Sequence, residues 1–429
     1  MTSSASPVPA WYRKRRYVHF DEPIGLAKAQ KLVTDPLAVT RHAFWPLIRF
    51  EIETVKIRQD KVTGKISSKE KLREISYAAH SDSQIFSYYC QDLAVRYEQE
   101  ISKRGLSESV LAFRSLGKNN IHFAKQAFDR IKSLGSCTAI AFDITKFFDT
   151  LSHRLLKQRW KGLLGVTELP ADHYSVFKAV TQFAVVDRDK AFKALGVSVH
   201  NPRCGGRRRL CTPQEYRDIL RNGKLIQTNN GGVGIPQGTA ISALLSNLYM
   251  LEFDSAALTF AQSNGGTYLR YCDDMLFLMP LGMKGPTEAF VMAELKALEV
   301  DINADKTDSC DFTLRGGQQI ADHPLQYLGF MYDGQRVVIR SAAFAKFSSR
   351  MKRGVSLAKQ TRRRKNKLRT RLGAPERELY LRKIFTRYSH LGKRNFLRYG
   401  YNAADIMKSQ EIRRQLRPLW SRLLDEIAE

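Results

Sequence analysis

The apolar pattern is densest at residues 268–279, where Tyr268-Leu269-Arg270-Tyr271 and Met275-Leu276-Phe277-Leu278-Met279 flank Cys272-Asp273-Asp274. Aromatic and aliphatic runs favour strands and Asp tolerates tight turns, so the stretch predicts a β-hairpin with two adjacent carboxylates at its tip. Upstream, Cys137-Thr138-Ala139-Ile140-Ala141-Phe142-Asp143 predicts a buried strand ending in a carboxylate, then a turn and a helix starting near Leu151. Between the two, Gly231-Gly232-Val233-Gly234-Ile235-Pro236-Gln237-Gly238 opens a helix with Ile241, Leu244, Leu245, Leu248 and Leu251 on one face. Its other face carries Thr239, Ser242 and Ser246, small enough for a bulky partner to approach. Residues 287–298 are amphipathic and lead into Val300-Asp301-Ile302-Asn303-Ala304-Asp305-Lys306-Thr307 as a last strand. Strand, helix, hairpin, helix, strand is the split βαβ, ferredoxin-like order, which sets Asp143 beside the hairpin tip.

Around this centre, residues 36–104 read as mostly helical, with Ile75, Ala79, Asp82 and Phe86 on one face and His80 and Asp82 as capping or packing polars. A helix is expected over 121–134, and a loop-rich basic insertion over about 187–227 holding one short helix at 213–221. Leu325-Gln326-Tyr327-Leu328-Gly329-Phe330 reads as a hairpin returning through Asp333-Gly334 to residues 337–339, and everything after 341 reads as helical. The fold class is α+β.

Charge changes the picture more than composition does. The 429 residues carry a formal charge of +28, which favours a polyanionic partner, nucleic acid first and an anionic membrane surface second. The basic residues concentrate at 11–16, at Arg207, Arg208 and Arg209, and at Arg362, Arg363, Arg364 and Lys365, with aromatics interleaved beyond the last run. Cations mixed with stacking rings suit a groove that tracks a phosphodiester backbone. No stretch has the length of a membrane span and the N-terminus lacks a secretory apolar region, so a cytoplasmic protein is expected. The cysteines at 90, 137, 204, 211, 272 and 310 form no disulfide framework; the close pair Cys204 and Cys211 reads as ordinary loop thiols rather than a zinc knuckle.

Adjacent carboxylates repel, and a divalent cation removes that conflict. Asp143 at a strand end beside Asp273 and Asp274 predicts a three-carboxylate cluster, with the Ile144 carbonyl as a further hard ligand. Two Mg²⁺ ions in such a cluster serve phosphoryl transfer, one at the attacking hydroxyl and one at the leaving pyrophosphate. Phe148 is placed to lie under the sugar of an incoming nucleotide and exclude a 2′-hydroxyl. Arg114 and Lys118, in a short basic loop, are either triphosphate ligands or solvated. Lys306 is either a proton donor to pyrophosphate or one more surface lysine.

In series, Phe142-Asp143-Ile144-Thr145-Lys146-Phe147-Phe148-Asp149, Gly234-Ile235-Pro236-Gln237-Gly238, Tyr271-Cys272-Asp273-Asp274, Asp305-Lys306-Thr307 and Tyr327-Leu328-Gly329-Phe330 resemble the palm motifs of reverse transcriptases. The resemblance spans about residues 70–340. It implies a right-hand polymerase with helical fingers and N-terminal extension (1–136), a palm (137–325, with the basic insertion) and a primer-grip hairpin with helical basic thumb (326–429). It further implies that Asp143, Asp273 and Asp274 hold the metals, Phe148 is the steric gate, Gln237 touches the nascent base pair, Lys306 is the general acid and Tyr327, Leu328, Gly329 and Phe330 are the primer grip. Within that superfamily the segment from Arg73 to Tyr89, the Phe113-Arg114 loop and the basic insertion before Gly234 resemble the bacterial "unknown group" defence enzymes, with the type 2 defence class as the suggested match. Such enzymes copy a companion non-coding RNA into cDNA from dNTPs. The fingers lack the motifs usual in group II intron enzymes, and no RNase H, maturase-like or endonuclease module follows. The oligomeric state is left open. Competing readings are a template-independent or protein-primed polymerase, an RNA-dependent RNA polymerase, against which Phe148 argues, and a nucleic-acid-binding module with a dead palm.

Overall fold

Period-two alternation of Ile48, Phe50 and Ile52 with Arg49, Glu51 and Glu53 makes a strand where the sequence reading placed helix. The computed structural model describes residues 7–59, 66–303 and 307–429. In chain order its strands are β1 (Leu47–Gln59), β2 (Ile66–Tyr77), β3 (Cys137–Asp143), β4 (Ala184–Asp187), β5 (Ile226–Thr228), β6 (Thr267–Tyr271), β7 (Asp274–Met279), β8 (Asp308–Arg315), β9 (Gln318–Ala321), β10 (Leu325–Tyr327), β11 (Phe330–Tyr332) and β12 (Val337–Ile339).

The fingers are therefore not all helical. β1 and β2 form a long antiparallel hairpin with Ile48 opposite Tyr77, and the helix His80–Lys103 starts only after it. The helical face drawn through Ile75 and Ala79 straddles that boundary. His80 and Asp82 are packing polars as expected: His80 Nδ1 lies 2.8 Å from Asp21 Oδ1, and Asp82 accepts from the Trp45 backbone at 2.9 Å. Residues 187–227 do not hang off the palm either. β4 pairs parallel to β1 and β5 pairs with β4, giving the order β2-β1-β4-β5. Val186, Phe192, Leu210 and Leu220 then share a core with Val18, Phe20 and Ile48, so burial ties this basic segment to the fingers sheet. Its short helix begins at a Thr212–Glu215 capping box and continues as the π-helical turn Tyr216–Arg221.

The palm sheet has the order β6-β7-β3-β8-β9, and its first four strands match the ferredoxin-like arrangement. The last strand is Asp308–Arg315 rather than residues 300–307. Ile302 instead makes an isolated bridge to Ile144. Both sheet faces are covered. Ile140, Phe142, Met275 and Phe277 pack with the helices Ser242–Tyr249 and Leu251–Ser263, while Ala139, Leu276, Leu278 and Phe312 pack with the helix Asn120–Leu134 and the C-terminal helices. Two covered faces explain why β3 and β7 are apolar at nearly every position.

β10, β11 and β12 form a small antiparallel sheet with Leu328 and Gly329 both at positive φ, 46° and 96°, as a two-residue hairpin turn requires. The tail is helical as expected, led by Ser341–Arg371. Fingers, palm and thumb together make a right-hand polymerase fold. Among the described residues no helix is long and apolar enough to cross a membrane.

Candidate active site at the palm hairpin

β3 and β7 pair so that Asp143 faces Asp274 directly. Cys272, at φ 63°, takes the left-handed position in the two-residue turn with Asp273. Asp143 is 9% exposed, Asp273 half-buried and Asp274 exposed, so the acids form a graded rim at the sheet edge. The bridge between Ile144 and Ile302 is held by Asn303 N to Asp143 O (2.7 Å) and Thr145 N to Asp301 O (2.8 Å). Neither bond uses the Ile144 carbonyl, and among the described residues no backbone N–H donates to it. An all-oxygen donor set of carboxylates and one carbonyl fits Mg²⁺. The three acids do not already converge as a closed ligand cage.

The residue that supports this turn escaped the sequence reading. Arg270 is fully buried and bidentate to Asp254, Nε to Oδ1 at 2.7 Å and Nη2 to Oδ2 at 2.5 Å, with both side chains 0% exposed. Its Nη1 donates to Asn247 Oδ1 and to the Cys272 carbonyl, each at 3.0 Å. Tyr268 OH completes the network on Asp254 Oδ1 at 2.8 Å. Burial opposes the guanidinium charge, but Asp254 outweighs it and holds the Arg270 pKa above its usual value. The carboxylate turn is thus clamped from behind by a cation that never sees solvent. Burial, then Asp273, pushes the Cys272 thiol up.

Phe148 is half-buried against the palm core, edge-on to Phe147 at 5.7 Å. Its carbonyl accepts from Ile235 N at 2.8 Å, which joins it to the glycine-rich loop. That loop is docked in turn on the fingers hairpin, Ser76 N donating to Gln237 O at 2.7 Å. A Cβ on Gly238, at φ 109°, would fall 2.5 Å from Ser76 O, so only glycine permits this approach. Gln237 is half-buried at the loop's apex. Thr239, Ser242 and Ser246 do not form an open face. All three are buried; Thr239 and Ser242 share a 2.5 Å bond, Ser242 donates to Pro236 O, and Ser246 donates to Ala243 O.

Arg114, expected either to grip a triphosphate or to be solvated, has its donors engaged within the fold. Its side chain is 4% exposed, bidentate to Glu98, and its Nη1 donates to the Ser107 and Val110 carbonyls. Its donors serve the fold. Lys118 is exposed, while Lys306 lies outside the described residues. Tyr327 and Phe330 are buried, flanking the Leu328–Gly329 turn, and burial followed by the Asp274 charge pushes the Tyr327 phenol up. Asn120 reaches the Leu328 carbonyl at 3.1 Å and fixes that turn to the palm. Among the basic residues, Arg207 caps the Leu210 carbonyl, Arg208 lies 3.2 Å from Glu22, and Arg209 is exposed. Arg362 is half-buried, and Arg363, Arg364 and Lys365 are exposed on Ser341–Arg371. A cleft of about 680 Å³ nearby is lined by Arg350, Arg387, Lys393 and Arg394 with Tyr388 and Phe396.

Among the described residues, one group of three side chains brings metal-ligating atoms within 4.8 Å of one another: Cys310, Asp322 and His323. Cys204 is exposed and Cys211 is buried in the fingers core.

Comparison with solved structures returns telomerases at low identity. Apo telomerase from Candida tropicalis, truncated from its C-terminal domain, is 11% identical with a TM-score of 0.40, covering 68% of this chain and 57% of that one. Telomerase from Candida albicans in complex with a TWJ fragment of telomeric RNA is 9% identical at 0.40, covering 91% and 64%. The chain thus spans less than two thirds of the length of these proteins, and likeness of this size bears on neither substrate nor partner. Comparison with curated protein sequences returns no match. The family model for reverse transcriptase (RNA-dependent DNA polymerase) matches residues 96–332, just over half of the 429 residues. With the βαββαβ palm and its opposed carboxylates, that match shows that the chain belongs to the reverse transcriptase family.

Proposed function

We propose that this chain is an RNA-templated DNA polymerase that copies a dedicated non-coding RNA into cDNA as part of bacterial antiphage defence. The observation that carries the polymerase reading is the β3–β7 register that opposes Asp143 and Asp274, with Asp273 in the turn and the Ile144 carbonyl beside them. Two Mg²⁺ ions bound there would supply an activated primer hydroxyl and charge neutralisation on the departing pyrophosphate. The protein's part is to hold oxygen ligands at a fixed spacing, and the Arg270 clamp on Cys272 keeps the turn from relaxing. Phe148, braced by the glycine-rich loop, bars a 2′-hydroxyl, and Gln237 on the same loop meets the nascent base pair. The Tyr327–Phe330 turn seats the primer end. The cations and rings of the thumb cleft follow the phosphodiester backbone.

The dedicated-template reading rests on charge far along the chain from the carboxylates, at residues 11–16, 203–209 and 350–371, which suits A-form RNA held by shape and phosphate contact. The defence reading rests on the motif resemblance alone. Asp143→Asn and Asp273→Asn should each abolish primer extension in Mg²⁺ while leaving RNA binding intact; near-wild-type extension by either refutes the site. Sequencing RNA crosslinked to the inactive variant in cells should return one dominant species. A broad sample of transcripts refutes the dedicated template but not the polymerase.

A further inference from the structure

The Cys310, Asp322 and His323 cluster stands apart from the palm carboxylates. Cys310 pairs with Ala139 of β3, four residues from Asp143, or roughly 13 Å at about 3.3 Å per residue. Cys310 is fully buried on β8; Asp322 and His323 form the turn between β9 and β10, where the palm sheet hands the chain to the primer-grip sheet. Cys310 Sγ lies 2.8 Å from the His323 carbonyl. The imidazole is flanked by carboxylates on both sides: Nδ1 is 2.9 Å from Asp322 Oδ1, and Nε2 is 3.3 Å from Asp308 Oδ1. A neutral imidazole has one N–H, so it can donate to only one of these carboxylates, and the other contact sets lone pair against lone pair. That leaves one ring nitrogen with its lone pair turned toward a carboxylate, a donor set that a cation can use.

We infer that this cluster is a site for a borderline-soft divalent cation of the zinc type, ligated by Cys310 Sγ, an Asp322 oxygen and His323 Nδ1. Sulfur, nitrogen and oxygen together suit zinc and exclude Mg²⁺ as the preferred ion. Asp308 is the orienting carboxylate. By accepting Nε2–H it directs the Nδ1 lone pair to the ion, the usual carboxylate–histidine–metal arrangement. Water takes the fourth position on the open Asp322 side. On binding, the Cys310 S–H bond breaks, the thiolate sulfur bonds the ion and one proton passes to solvent; Asp322 and neutral His323 contribute lone pairs only. Burial, with Asp322 next, pushes the free thiol up, so binding weakens as pH falls. The ion's effect is mechanical. It staples β8 to the turn leading into Tyr327 and so fixes the primer-grip sheet against the palm.

The test uses full-length protein stripped with a chelator, loaded with Co²⁺ or Zn²⁺ and dialysed. Wild type should show a thiolate-to-cobalt charge-transfer band with tetrahedral d–d absorption, retain one more zinc per chain than His323→Gln, and release one proton per ion in weak buffer. Zinc should raise its melting temperature but not that of His323→Gln. Cys310→Ser should lose the cobalt–thiolate band, whereas Cys204→Ser, which alters an exposed thiol, should keep it. Should Cys310→Ser fail to fold, His323→Gln and Asp322→Asn at the surface carry the comparison. Equal zinc retention by wild type and His323→Gln, or a cobalt spectrum without a thiolate band, overturns the assignment. None of these readouts depends on polymerisation.

Discussion

Asp254→Asn removes the charge partner of Arg270 while keeping an oxygen and the side-chain volume. Both residues are 0% exposed, so the guanidinium is left as an uncompensated buried charge. Breaking such a pair from one side costs about 3–5 kcal/mol. That is a large share of a typical folding stability of about 5–15 kcal/mol. Replacing both partners by apolar groups behaves differently. Arg270→Met with Asp254→Leu removes both charges and leaves only neutral groups short of a partner, Tyr268 OH, Asn247 Oδ1 and the part-buried Cys272 carbonyl, an exchange that is often neutral or stabilising relative to the intact pair. The double variant should therefore be more stable than Asp254→Asn alone in urea titrations. Its activity should not recover, because the Cys272 carbonyl has lost its cationic donor. A hydrogen bond to a charged group contributes about 1.5–3 kcal/mol, which corresponds to about tenfold to a hundredfold in single-turnover primer extension if all of it positions the turn. Stability and rate that recover together would refute the clamp and make the pair a packing element. So would an Asp254→Asn midpoint shift worth less than about 1 kcal/mol.

Phe148→Ala should raise NTP incorporation relative to dNTP by about tenfold, a ~1.4 kcal/mol change in discrimination, read by competitive single-nucleotide extension; unchanged selectivity would mean the ring only packs against Phe147. A pH dependence should come from His19, which is buried between the Tyr77 carbonyl (3.3 Å from Nε2) and Phe20 N–H (2.8 Å to Nδ1), with Asp21 and His80 nearby. Burial pushes its pKa down from 6.5 to about 3, so the unfolded chain binds the extra proton first. The contribution is present above pH 6.5 and is lost as pH falls, by about 2 kcal/mol between pH 6.5 and 5. Asp21, held down to about 2 by hydrogen bonds that outweigh its burial, loses its share only below the normal carboxylate range. Urea titrations at both pH values should show the slope in wild type and a smaller one in His19→Phe, where His173, also pushed down by burial, still contributes.

What the sequence shows and hides follows from where each charge ends up. β3 and β7 were legible because both faces are covered, which forces an apolar run whose only carboxylates sit at the ends. The fingers hairpin was not, because Arg49, Glu51 and Glu53 interrupt any continuous apolar run and Ile52 is itself 43% exposed, so only a short alternation marks the strand. β4 and β5 are too short for any period to show, so the basic segment between them read as an insertion. Arg114 and Arg270 look like other basic residues until Glu98 and Asp254, both sixteen residues upstream, are brought against them. Cys310 gains Asp322 and His323 only because β8 and β9 fold back on each other. The +28 charge therefore overstates what nucleic acid can meet. Arg114 and Arg270 are consumed inside the fold, whereas Arg363, Arg364 and Lys365 stand exposed on the thumb helix. Burial and pairing, which only the structure supplies, decide which cations build the polymerase and which remain for its template.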